Sequence, residues 1–121
     1  MIFASIFRND PELVHLRAGE RLFAEGEPGD HVMYVLVAGT ADIVVRGKVV
    51  EHVELGAILG ELAVIESQPR SATVIATSES TFARIDEKRF RFLVSETPHF
   101  AIEVMRIMAQ RLRNTDAMLP D

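Results

Sequence analysis

Residues 60–73 read Gly60-Glu61-Leu62-Ala63-Val64-Ile65-Glu66-Ser67-Gln68-Pro69-Arg70-Ser71-Ala72-Thr73. The stretch is neither a good strand nor a full helix. Glu61 to Ile65 predicts a turn or two of helix starting just after Gly60. A helix start leaves backbone N–H groups without intrahelical partners and carries partial positive charge, which suits an anion. Gly60 lets a ligand approach the backbone closely. Pro69 fixes the chain before Arg70, and Ser71 and Ala72 are small enough to leave their amides reachable. An arginine fork matches two phosphate oxygens, whereas a carboxylate repels phosphate but accepts well from a sugar hydroxyl. Glu61 and Arg70 can therefore read a ribose hydroxyl and a phosphate on one small molecule. They can equally form an ion pair that pins a loop, and the residues alone leave both readings open.

On either side of this stretch the chain is rich in β-formers. The runs Arg21 to Ala24, Val32 to Val37, Ala41 to Val45, Val49 to Leu55, Ala72 to Thr77 and Thr81 to Ile85 are punctuated by glycines. Many short strands at near-regular spacing predict a sandwich or barrel. Arg46-Gly47-Lys48 predicts a hairpin tip, and Val32 to Val37, apolar on both faces, predicts a central strand. The first twelve residues predict a short helix, broken at Asn9-Asp10-Pro11. Past Asp86, a predicted N-cap, the pattern becomes helical: Phe90, Leu93 and Val94 share a face. Thr97-Pro98 restarts the chain, and Ala101, Val104, Met105, Met108, Leu112, Thr115 and Leu119 form one stripe of a long helix. The architecture is a β-roll followed by two helices.

Composition narrows the function. The 121 residues fit one domain, and with 48% apolar residues they can bury a core. The absence of cysteine removes disulfides, thiolate nucleophiles and cysteine-ligated metals. A net charge of −5 disfavours nucleic acid and anionic lipid. With no apolar run near the length of a membrane span and no signal-peptide pattern at the start, the expectation is a cytoplasmic domain that neither spans a membrane nor binds nucleic acid through this chain.

Gly60-Glu61-Leu62-Ala63 followed by Pro69-Arg70-Ser71-Ala72 resembles the phosphate-binding cassette of the cyclic-nucleotide-binding domain family, of the catabolite activator protein and protein kinase A regulatory subunit type. Three further stretches resemble the family in register: Ala18 to Asp30, an early glycine-rich hairpin; Tyr34 to Ala41, a central strand and turn; and Leu55 to Glu61, the approach to the cassette. The resemblance runs from about Leu13 to Arg113. It implies a mainly β fold with flanking helices, an antiparallel, jelly-roll-like β-roll over 13–85 with the cassette at 60–73. A short N-terminal helix over 1–12, a short cassette helix and two C-terminal helices over 86–119 would complete a single domain over 1–121.

The resemblance also implies a role for each matched residue. Glu61 would accept from the ribose 2′-hydroxyl, and Arg70 would pair with the exocyclic oxygens of the cyclic phosphate. The Ala63 and Ser71 amides would donate to the same phosphate, within a cassette that includes Leu62 and Ala72. Gly60 would contact the ribose through its backbone. The ligand would be cAMP or cGMP, with serine at 71 leaning toward cAMP. Thr115 matches an adenine-contacting threonine in the activator's long helix. No DNA-binding domain of the activator's kind, kinase segment or channel segment falls within these residues, which fit either a piece of a larger protein or a stand-alone module; the expected activity is non-catalytic sensing relayed through the C-terminal helices.

Two rivals stand beside this reading. An enzyme would want paired histidines, but His15, His31, His52 and His99 fall at no metal-ligand spacing, and Ser71 lies in no nucleophile elbow. A degenerate scaffold would keep the fold without the nucleotide, yet such members usually lose the cassette arginine or glutamate. The long helix could also pair in a homodimer, through a seam that Arg111 interrupts.

Overall fold

The computed structural model describes Phe7, Asp10, residues 12–66 and residues 68–118, with backbone only for 115–118. The helix expected over 1–12 lies largely outside the described residues. Phe7, itself helical, is fully buried.

Among the described residues, eight strands make two four-stranded antiparallel sheets. In chain order they are β1 (Leu13–Leu16), β2 (Arg21–Phe23), β3 (Met33–Ala38), β4 (Ala41–Val45), β5 (Lys48–Val53), β6 (Ile58–Leu59), β7 (Thr73–Ala76) and β8 (Ser80–Ile85). One sheet has the order β1-β8-β3-β6 and the other β2-β7-β4-β5. Besides the helical Phe7, three helices among the described residues follow the same numbering: α1 (Glu61–Ile65), α2 (Glu87–Glu96) and α3 (Pro98–Met118). The first strand thus pairs with the last, Leu13 opposite Ala83 and Leu16 opposite Ser80, which closes the roll.

β3 lies between β8 and β6, and its two faces serve two cores. Met33, Val35 and Val37 face the helices and pack with Leu93, Phe100 and Val104. Leu36 faces the other sheet and packs with Phe82, Val74 and Phe23. Side chains alternate along a strand, so a strand buried on both faces reads as an unbroken apolar run. The β4–β5 hairpin turns through Arg46 and Gly47, at φ 51° and 78°, the paired left-handed conformations that a two-residue turn of this kind needs.

Asp86 caps α2 as its sequence suggests, its carboxylate accepting from the Arg89 N–H at 2.8 Å. The Arg89 guanidinium grips the Asp10 carboxylate with both terminal nitrogens, which ties Asp10 to α2.

The long helix departs from expectation. Phe100 and Val104 are buried, with Ile107 and Met108 packed against the same core. Met105 and Leu112, expected on that stripe, are exposed at 57% and 64%. At about 100° per residue the buried face is centred near Val104, between Phe100 and Met108, and Met105 and Leu112 lie about 80–100° round the helix from it. Leu119 lies outside the described residues, as does the side chain of Thr115.

Candidate functional site

The cassette is the connection from β6 in one sheet to β7 in the other. Gly60 caps α1 in the left-handed region, φ 69° and ψ 24°. A Cβ built there would fall 2.4 Å from Arg70 Nη1. Glycine is thus required twice, for its backbone angle and for the guanidinium lying against it. Within α1, Glu61, Ala63 and Val64 are buried while Leu62 is exposed. The Ala63 N–H donates to the Gly60 carbonyl at 3.1 Å, so a phosphate would have to share that N–H.

Arg70 is held from the other side. Its N–H donates to the Glu27 carbonyl at 2.7 Å, and its carbonyl accepts from the Gly26 N–H at 2.9 Å. Pro28 and Pro69 form the adjoining bridge. The loop between β2 and β3 therefore fixes where the arginine starts. Its guanidinium ends over the Phe23 ring, 4.2 Å from the centroid, with Tyr34 at 5.9 Å.

The arginine is 7% exposed. One terminal nitrogen reaches the Gly60 carbonyl at a long 3.4 Å, and the buried Nε has no hydrogen-bond partner. Burial pulls the Arg70 pKa below the ordinary arginine value, against the opposing influence of Tyr34, Asp30 and Glu27. Among the described residues no carboxylate forms an ion pair with it. A buried cation without a carboxylate is costly and is suited to an incoming anion. A cavity of about 230 Å³ opens beside it, with Tyr34, Glu27, Asp30 and Arg84 in its wall.

The loop-pinning ion pair between Glu61 and Arg70 does not form. Glu61, 6% exposed, instead accepts on Oε2 from Arg111 Nη1 at 3.0 Å. The same guanidinium donates through Nε to Glu51 Oε1 at 3.1 Å and through Nη2 to Glu51 Oε2 at 3.4 Å. Burial lowers the Arg111 pKa, but the charges and hydrogen bonds of Glu61 and Glu51 outweigh it and leave the net shift upward. Arg111 thus faces inward and joins α3 to α1 and β5.

Sequence reasoning overlooked Arg111 and Glu51 as site residues. The available signal was a charge three and seven positions after Met108 and Val104 on the buried face, a place that demands a carboxylate partner. The aromatic bed of Phe23 and Tyr34 was also overlooked. Gly60, Glu61, Ala63 and Arg70 converge around the start of α1, with Ser71 exposed and Ala72 half-buried at the entry to β7. Among the described residues no cluster of three or more His, Asp or Glu could hold a metal ion, and no helix is long and apolar enough to cross a membrane.

The chain is similar to known proteins along most of its length. Residues 13–97 match the family model of the cyclic nucleotide-binding domain. The chain is 28% identical over 108 residues to a CRP-like cAMP-activated global transcriptional regulator of Mycobacterium tuberculosis, covering 85% of this chain and 48% of that protein. It is 33% identical over 97 residues to a cAMP-dependent protein kinase regulatory subunit of Eremothecium gossypii, covering 79% of this chain and 20% of that one. The solved structure of cAMP-bound PfPKA-R superposes with a TM-score of 0.71 at 27% identity, over 88% of this chain and 35% of the other. The chain thus spans about half or less of the length of these relatives. With residues 13–97 matched to the family's domain, the chain belongs to the cyclic nucleotide-binding domain family.

Proposed function

We propose that this domain binds a cyclic nucleotide, cAMP in preference to cGMP, as a non-catalytic sensor. The observation that carries the reading is Arg70, a buried guanidinium with an unpartnered Nε and no carboxylate ion pair among the described residues. The exocyclic oxygens of a cyclic phosphate supply the missing charge and acceptors. Glu61 accepts the ribose 2′-hydroxyl while Arg111 holds its other oxygen. The Ala63 and Ser71 amides donate to the phosphate, and the Gly60 backbone meets the ribose. The serine at 71 favours cAMP. The M. tuberculosis regulator and the E. gossypii regulatory subunit, both described by cAMP, support the same ligand.

Arg111 carries the readout. It links Glu61 to α3, so a ligand on Glu61 biases the seating of that helix by no more than its differential affinity for the two seatings. The outward side of α3 carries Ile102, Met105, Ala109 and Leu112 at heptad spacing, all exposed, which suits pairing with a second copy of the chain.

The test is calorimetric titration with cAMP and with cGMP. The native protein should bind both, cAMP more tightly. Arg70→Ala should stay folded and lose about 1.5–3 kcal/mol per charge-assisted bond, roughly ten- to hundredfold in affinity or more. No binding of either nucleotide at millimolar concentration would refute the sensor reading in favour of a scaffold.

A further inference from the structure

The buried charge of Arg70 is met by ring faces. Its guanidinium carbon lies 4.2 Å from the centroid of Phe23 and 5.9 Å from that of Tyr34, both within reach of a cation–π attraction. Glu27 and Asp30 stand in the wall of the same cavity. Neither forms an ion pair with the guanidinium, nor does any other carboxylate among the described residues.

The Phe23 ring is fixed independently of the arginine. Between Arg21 and Phe23 the register slips, so that two steps along β2 match one along β7. A bulge of this kind re-aims a side chain, and the neighbours Leu22 and Phe23 both pack into the roll with Leu36, Val74 and Phe82. The Tyr34 ring stands 6.0 Å from Phe23, tilted by 32°, and adds a second, more distant face.

A carboxylate and a ring leave an arginine in different states. A carboxylate takes the N–H edge, often through two parallel bonds, and so occupies the donors that a phosphate needs. An aromatic ring attracts the charge through the negative face of its π system and offers no lone pair to take up an N–H. Arg70 is seated over Phe23 while its Nε has no hydrogen-bond partner.

We propose that Phe23 is a positioning residue for cyclic-nucleotide binding: its ring face stands in for a counter-ion and seats Arg70 with donors left for the phosphate. The inference rests on the reading of Arg70 as the phosphate partner. With a weaker ring face the buried charge is less well offset. The guanidinium then turns to solvent in a share of the molecules, and the apparent affinity falls with the competent fraction.

The experiment replaces Phe23 in turn with mono-, di- and trifluorinated phenylalanine. Fluorine drains the negative ring face and nearly keeps the ring's shape. Calorimetry with cAMP should show affinity falling with each added fluorine, to a total of roughly two- to thirtyfold, the weight of one cation–π contact. The same series at Phe82 should leave the affinity unchanged, since Phe82 is buried in the same core with no cation over its ring among the described residues. Phe23→Leu, which removes the ring, should weaken cAMP at least as much as the trifluorinated residue; should it fail to fold, the fluorinated proteins carry the test alone.

An affinity that ignores the number of fluorines at Phe23, or that falls equally along the Phe82 series, would overturn the proposal, because a ring needed only for packing responds to size and not to face charge. Unchanged cAMP binding by Arg70→Ala would instead refute the phosphate role of Arg70. A native protein that binds neither nucleotide would refute the sensor reading itself. Both of those failures are seen without any fluorinated protein and are distinct from a flat series in a domain that binds through Arg70.

Discussion

Replacing Gly60 with alanine adds one methyl group at the point where the cassette backbone and the Arg70 side chain meet. The residue sits at φ 69°, where a non-glycine residue costs about 1–2 kcal/mol. The new Cβ would lie 2.4 Å from Arg70 Nη1 and 3.3 Å from Phe23 Cε2, against an ordinary contact of 3.4–4 Å. The guanidinium is the movable partner and must withdraw by about 1 Å. A hydrogen bond stretched by that much is no longer one. The expected loss is one charge-assisted bond to the phosphate, about 1.5–3 kcal/mol or roughly ten- to hundredfold in cAMP affinity.

Calorimetry reads the affinity of Gly60→Ala, and urea denaturation reads its stability. Repeating both in the Arg70→Ala background separates the two effects. There the backbone cost should persist while the affinity loss disappears, because no guanidinium is left to displace. Gly60→Ala protein that binds cAMP as tightly as native would refute the placement of Arg70 as the phosphate partner. So would an affinity loss that persists undiminished without Arg70.

Other perturbations read separate parts of the structure. Glu61→Gln should weaken cAMP and shrink its advantage over 2′-deoxy-cAMP, with a coupling of about 0.5–3 kcal/mol in a cycle that uses the ligand as one partner; additive losses by titration would remove Glu61 from the ribose. Asp86→Ala removes the cap on Arg89 N–H and should lower stability by about 0.5–2 kcal/mol, seen as a lower urea midpoint at unchanged slope. Met105→Glu places a charge on the exposed stripe of α3 and should shift any dimer toward monomer in sedimentation without lowering the melting temperature of the monomer; an unchanged oligomeric state would remove that face from the interface.

Much of the roll was readable because alternation and turn chemistry are local. The β4–β5 hairpin follows from Arg46-Gly47-Lys48, and the double burial of β3 follows from its unbroken apolar run. β1 and β6 were not named as strands. Leu13-Val14-His15-Leu16 is short and directly follows a breaker, and Ile58–Leu59 is two residues long. Both are defined by partners far along the chain, β8 for one and β3 for the other, so no local pattern marks them.

The site divides the same way. Gly60, Glu61 and Arg70 stand within one short stretch, where spacing and residue type could be read together. The partner of Glu61 lies 50 positions away at Arg111, and Glu51 enters only because the same arginine also reaches β5. The long helix misled because its apolar residues cover two faces. A single stripe drawn through Val104 and Met105 merges the side that meets the core with the side turned away from it.

The pairing of β1 with β8 bears on how the domain assembles. Residue 13 finds its partner at residue 83, so the closing contact brings together almost the two ends of the roll. Contacts so distant require loop-closure entropy before they contribute anything, which slows folding relative to a helical bundle of equal size. The cassette lies inside that loop, with Arg70 tied back to residues 26 and 27 and Glu61 to residue 111. A nascent chain that has emerged only as far as residue 79 already contains every cassette residue from Gly60 to Ala72, but it lacks the strand that joins β1 to β3 and the helix that engages Glu61. A ligand that recognises only the completed arrangement stabilises the closed roll by mass action and has nothing comparable to grip on the growing chain.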